Sequence, residues 1–163
     1  MERKFVLTLA IFLFGSFAHI RAQDLELAFY NKLSALIKEK EPDWELHRKA
    51  IIQNQLIVLW VNGQQRALIS TAFLSSEEES QKHLRTRLRE QEQLPESKFS
   101  KSELMGFGDQ AYLLRYGGGD NRAMILFRKG DQFIEVVGPS EDVAKKFAQH
   151  VADLIPTKKR RIA

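Results

Sequence analysis

The chain has 163 residues, with 25 Lys and Arg against 21 Asp and Glu, and no cysteine. The missing cysteines exclude disulfides, thiolate metal sites, a cysteine nucleophile and the acylated cysteine of a bacterial lipoprotein. The formal charge of +4 is concentrated at the ends. Arg3, Lys4 and Arg21 outweigh Glu2 at the start, and Lys158, Lys159, Arg160 and Arg161 crowd the finish, so the body between them sits at about −2 and offers no basic face for nucleic acid.

Met1-Glu2-Arg3-Lys4 leads into the uncharged run from Phe5 to Phe14, which is the order of an export signal. The uncharged stretch ends at Ile20 because Arg21 follows, short of the length of about 20 residues that spans a bilayer comfortably. Cleavage after Ala18 or after Ala22 satisfies the small-residue rule, and the second leaves Asp24 to begin a helical pattern. An uncleaved anchor would export the same domain. Export without cysteine points to a bacterial periplasm or the medium. The expected organisation is a signal peptide over 1–22, a single domain over 23–156 and a basic disordered tail over 157–163.

From Asp24 to Lys40, Leu25, Phe29, Leu33, Leu36 and Ile37 recur at helical spacing, with Glu26, Lys32, Lys38 and Glu39 on the other face and Pro42 as the stop. Three strand-like runs follow: Trp44 to Ile52, Gln55 to Val61 and Gln65 to Phe73. Asn62-Gly63 reads as a type I′ turn between the last two. Ser76 with Glu79 forms a capping box for a second helix ending near Gln91, whose apolar stripe is thin, chiefly Leu84 and Leu88. Pro95 to Gly108 reads as a loop.

Gln110 to Tyr116 predicts a strand, Gly117 to Asn121 a flexible turn, and Arg122 to Arg128 with Gln132 to Val137 a hairpin around Lys129-Gly130-Asp131. Ser140 opens a last helix with the stripe Val143, Phe147, Val151 and Leu154, stopped by Pro156. Val58 to Gln65 aligns with Ile125 to Gln132, apolar run on apolar run and glycine on glycine. An internal duplication and a single αβββαβββα domain both account for that, and both predict an α+β fold with an antiparallel sheet covered by helices.

The run Gly106-Phe107-Gly108-Asp109-Gln110-Ala111-Tyr112, then Leu126 to Gly130, Ile134-Glu135-Val136 and Gly138-Pro139-Ser140 before the last helix, resembles exported bacterial PsbP-like and LpqN-like domains over residues 106–155. That resemblance implies an α/β/α sandwich and a non-catalytic accessory or sensor role. It carries over no catalytic residue, and the acylatable cysteine of the lipoprotein members is missing here.

No motif contradicts that expectation. His47, His83 and His150 lack the spacing of a paired zinc motif, no G-x-S-x-G or S-x-x-K occurs, and Gly117-Gly118-Gly119 lacks the Lys-Ser or Lys-Thr of a phosphate loop. Asp120 and Asn121 fall short of a calcium ligand set. The expectation is therefore no catalytic residue, no metal and no cofactor. The residues chosen for binding are Lys82, Arg85 and Arg89, which share one stripe of the second helix and suit an anionic partner, an unknown protein or a small ligand. The basic tail adds at most weak attraction to anionic surfaces. The rivals are a dispersed, motif-free enzyme site, for example one in which Asp109, Arg115 and His150 meet, and a structural or stress-related envelope protein. Trp44, Trp60, Tyr112 and Tyr116 all lie in predicted strands, where core packing is the default, with lining of a ligand groove the alternative if one sheet face is left uncovered.

Overall fold

The computed structural model describes residues 24–94, 98–117 and 121–156. The expected signal peptide, the middle of the expected Gly117–Asn121 turn and the expected basic tail lie outside them. The fold is α+β: helix α1 (24–40), strands β1 (Glu45–Ile52), β2 (Gln55–Asn62) and β3 (Gln65–Phe73), helix α2 (Glu77–Gln93), strands β4 (Phe99–Leu104), β5 (Gln110–Tyr116), β6 (Ala123–Lys129) and β7 (Gln132–Gly138), and helix α3 (Glu141–Leu154). The strands form one antiparallel sheet in the order β1-β2-β3-β7-β6-β5-β4.

β4 corrects the αβββαβββα order, because Phe99–Leu104 lies inside the stretch expected as a loop. Its sequence, FSKSEL, is polar because it is an edge strand paired only with β5. Charged side chains on such an edge discourage further pairing, and they also hide the strand from hydrophobic periodicity.

The turns follow from backbone sterics. Asn62 pairs with Gln65, so the β2–β3 turn is Gly63-Gln64 and not Asn62-Gly63. Positive φ is confined to its first residue, Gly63, at 57°, which makes it type II′ and not type I′. Gly130 at φ 61° does the same in the β6–β7 turn. The type I′ geometry belongs instead to β1–β2, where Gln53 and Asn54 adopt φ 48° and 63°. No glycine marks that turn.

The shift that superposes Gly63 on Gly130 also superposes Ile69 on Val136, and those two are Cα partners at the centre of the sheet. The strand cores thus relate by a local twofold. The helices that follow them do not, since α3 and α2 take opposite faces.

One face carries α1 and α3. Phe29, Leu33 and Ile37 of α1 and Phe147 and Val151 of α3 pack with Val58, Trp60, Ile69, Ile125, Phe127 and Val136. The inward stripe of α1 runs Glu26, Phe29, Leu33, Ile37, about 100° away from a stripe led by Leu25. Leu25 is accordingly 61% exposed and Glu26 buried, with both carboxyl oxygens lacking a hydrogen-bond partner. Burial raises the Glu26 pKa.

The other face carries α2. Leu84 is fully buried against Leu114, Met124, Leu126 and Phe133. The thin stripe is therefore a genuine second core layer, and burying such a leucine contributes about 2 kcal/mol. Polar contacts set its ends: Ser80 Oγ donates to the Gly130 carbonyl at 2.8 Å, and the Tyr116 hydroxyl donates to Gln91 Oε1 at 2.8 Å. At the N-terminus Ser76 caps Glu79 N–H, while the Glu79 carboxylate accepts from Ser75.

The turn register makes a direct prediction. Gly63→Ala should cost about 1–2 kcal/mol in urea unfolding, because alanine is strained at that φ, while Asn62→Thr should stay within about 0.5 kcal/mol. Equal losses at both positions would place the turn one residue earlier.

Candidate binding face

Strand alternation sorts the α2 face into rows. One row runs Arg48–Leu59–Leu68–Val137–Met124–Leu114–Lys101, and the next runs Ala50–Ile57–Ser70–Glu135–Leu126–Tyr112–Glu103. α2 lies over β6 and β7, with its outer flank tied to β4 by the Lys101–Glu92 ion pair at 2.6 Å. In the covered half Leu114, Met124 and Leu126 are buried. In the other half Ile57, Leu59, Val61, Leu68 and Val137 are only partly buried, and among the described residues nothing lies over β1, β2 and β3. Their alternate neighbours on the opposite face, Val58, Trp60 and Ile69, are fully buried. The open strip is thus a property of one face and not of loose strands.

A polar seam separates the two halves. Arg87 of α2 makes a bidentate pair with Glu135 of β7, Nε to Oε2 at 2.6 Å and Nη2 to Oε1 at 3.0 Å, and adds Glu90 at 3.1 Å. The Glu135 hydrogen bond raises the Arg87 pKa further above its ordinary value. Opposite Glu135, Ser70 accepts from Gln55 at 2.6 Å. The strip ends in a depression of about 410 Å³ bordered by Ile52, Gln55, Phe73, Ser75, Glu79 and His83, the last with its ring tilted against Phe133 at 4.8 Å between centroids.

The four aromatics expected in strands take their default, core packing, and not the groove-lining alternative. Trp44 and Trp60 sit in the core of the α1/α3 face, and Tyr112 and Tyr116 pack in the covered half. Aliphatic side chains line the strip because β2 and β3 turn their odd and even positions to opposite faces, and Trp60 falls on the α1/α3 side.

Lys82, Arg85 and Arg89 are all exposed, and none makes a salt bridge among the described residues. Helical spacing puts His83 and Arg87 on the flank that meets β7, and Arg85 with Glu92 on the flank that meets β4. The cationic stripe therefore points outward and away from the open strip. The two are separate surfaces.

The residues of the dispersed site do not meet. The Asp109 carboxylate accepts from Gly130 N–H at 2.8 Å and caps the β6–β7 turn. Arg115, at the other end of β5, pairs with Glu141 at 2.5 Å and also donates to Ser102. His150 Nε2 lies 3.1 Å from Glu41 Oε1, and Lys146 donates to Glu41 Oε2 at 3.0 Å, tying the end of α1 to α3. Burial pushes the Glu41 carboxyl up, but the His150 and Lys146 hydrogen bonds outweigh it and leave the pKa below the ordinary value. Among the described residues no group of three or more His, Asp or Glu side chains is placed to hold a metal ion, and no helix is long and apolar enough to cross a membrane.

Glu141 supplies a pH test. Arg115 and Lys145 hold its pKa down to about 2. A lowered folded-state value adds stability that is complete above the unfolded value near 4.5 and is lost as pH falls toward about 2. The Arg115 and Glu141 side chains are 44% and 30% exposed, so solvent limits the contribution to about 1 kcal/mol or less. In urea titrations Glu141→Gln should be less stable than the parent near neutrality, and the gap should close toward about pH 2. A gap independent of pH would exclude this assignment.

Set against family models, curated proteins and solved structures, the chain matches none.

Proposed function

We propose that this chain is an exported, non-catalytic binding module of the bacterial periplasm or medium that holds a partner on the α2 face. The observation that carries the reading is the open strip over β1, β2 and β3, where Leu59, Leu68 and Val137 remain partly exposed beside a fully packed half of the same face. Soluble domains seldom leave a contiguous apolar sheet face open without a use for it. The signal-like N-terminus and the resemblance of residues 106–155 to exported accessory domains support the same reading. Separation of Asp109, Arg115 and His150 onto different partners counts against the dispersed enzyme site. Lys82, Arg85 and Arg89 form a second contact, suited to an anionic group, on the outer flank of α2.

The test is native mass spectrometry of the protein secreted by its own host, comparing three forms. The parent should retain a partner or adduct. The Leu59→Gln/Leu68→Gln form should lose it while keeping its melting temperature within a few degrees, since both side chains are only partly buried. The Lys82→Ala/Arg85→Ala/Arg89→Ala form should weaken retention by a few-fold, an effect that salt reduces. Undiminished retention in the strip variant would refute binding at this face. Undiminished retention in the triple variant would remove the cationic stripe alone.

A further inference from the structure

The open strip has the dimensions of one helix. Strands lie about 4.8 Å apart, so β1 to β3 offer a floor roughly 10–14 Å wide, close to the diameter of an α-helix with its side chains. On the opposite side of the same three strands that place is filled by α1, through Phe29 on Phe73 at 5.6 Å and Tyr30 under Lys49. α2 forms one wall of the strip through His83 and Arg87, while the β1 edge leaves the other side open. A small ligand would be poorly enclosed there, because a pocket for such a ligand buries most of its surface.

Charge selects among helical occupants. Arg87 on the wall is already neutralised by Glu135 and Glu90. Two other cations lie on the open half of this face, Arg48 at the β1 end of the Leu59–Leu68–Val137 row and Arg66 beside Val61. Both are exposed, and neither makes an ion pair among the described residues. Glu45, also exposed, is the acidic residue on the same rim, paired across from Val61. A second copy seated about a twofold would bring the Arg48 and Arg66 pairs toward one another.

Building on the binding reading above, we infer that the strip docks an amphipathic helix of a partner protein, its aliphatic stripe on Leu59, Leu68 and Val137 and an acidic flank against Arg48 and Arg66. The helix completes the α2 layer as α1 and α3 complete theirs. Main-chain pairing plays no part in the contact, so specificity comes from the spacing of aliphatic anchors and from the acidic flank.

The experiment places the photo-crosslinking residue p-benzoylphenylalanine at Leu59 and, in a second form, at the exposed edge position Arg48, in the full chain secreted by its own host. The crosslinked segment is then sequenced by mass spectrometry. The expected product from both sites is a segment of another protein with apolar residues at helical spacing and Asp or Glu on one flank, and Arg48→Glu/Arg66→Glu in the Leu59 form should cut its yield by about tenfold. A lipid, a strand-like segment, residues 157–163 of this chain or a second copy at these sites would overturn the helix assignment while leaving the face as a binding surface. A yield insensitive to the charge reversal would overturn the acidic flank. No adduct at either site, with retention also unchanged in Leu59→Gln/Leu68→Gln, would overturn both the occupant and the binding face.

Discussion

The antiparallel pairing of β3 with β7 is the contact on which everything else depends. It joins two meanders that are each local in sequence, β1-β2-β3 and β4-β5-β6-β7, into one sheet with two continuous faces. Ile69 and Val136 meet at its centre under α3, and Ser70 meets Glu135 on the reverse. A slip of one residue in this pairing would turn Ile69 outward and Ser70 inward, so burial on the α1/α3 face fixes the register for both halves. It also places Glu135 where Arg87 can reach it and aligns Leu68 with Val137, making the strip continuous across the join.

The two faces of that sheet are used unequally. α1 and α3 share one face, while α2 stands on the other over β6 and β7, pinned by Ser80 and Gln91. The chain leaves β3 at the middle of the sheet and re-enters at its far edge in β4, and α2 makes that crossing on its own face. Strands β1, β2 and β3 are therefore covered once and open once. The half-exposed aliphatic strip is a consequence of topology, with the Arg87–Glu135 pair marking the border between packed and open territory.

Both sheet edges carry charge. Arg48 and Lys49 on β1 and Lys101 and Glu103 on β4 discourage strand addition, and an irregularity between Leu46 and Arg48 interrupts the ladder at the β1 edge. The edges are thus guarded while the face beside them is open, which favours a partner that lies on the sheet over one that extends it. Lys82, Arg85 and Arg89 point outward on the other flank of α2, a charged surface distinct from the apolar strip.

The sequence by itself determined the local elements. Alternating apolar residues marked six of the seven strands, helical spacing marked α1, α2 and α3, and Ser76 and Ser140 marked two helix starts, because each of these signals is a short-range steric or hydrogen-bonding requirement. It did not reveal β4, whose edge position removes the need for apolar residues, nor the Gln53-Asn54 turn, which lacks a glycine. It left α1 about one residue out of phase, since Leu25 and Glu26 differ by a single step and only packing says which is buried. Lys82, Arg85 and Arg89 were legible as a stripe because i, i+3 and i+7 positions share a helix face. Asp109 and Arg115 already stand at opposite ends of one strand, and only the placing of His150 on Glu41 needed the fold. Which flank the cationic stripe takes and the open strip itself were decided by tertiary structure alone, because both depend on which face each helix covers, and that is set by the β3–β7 join and the crossing of α2.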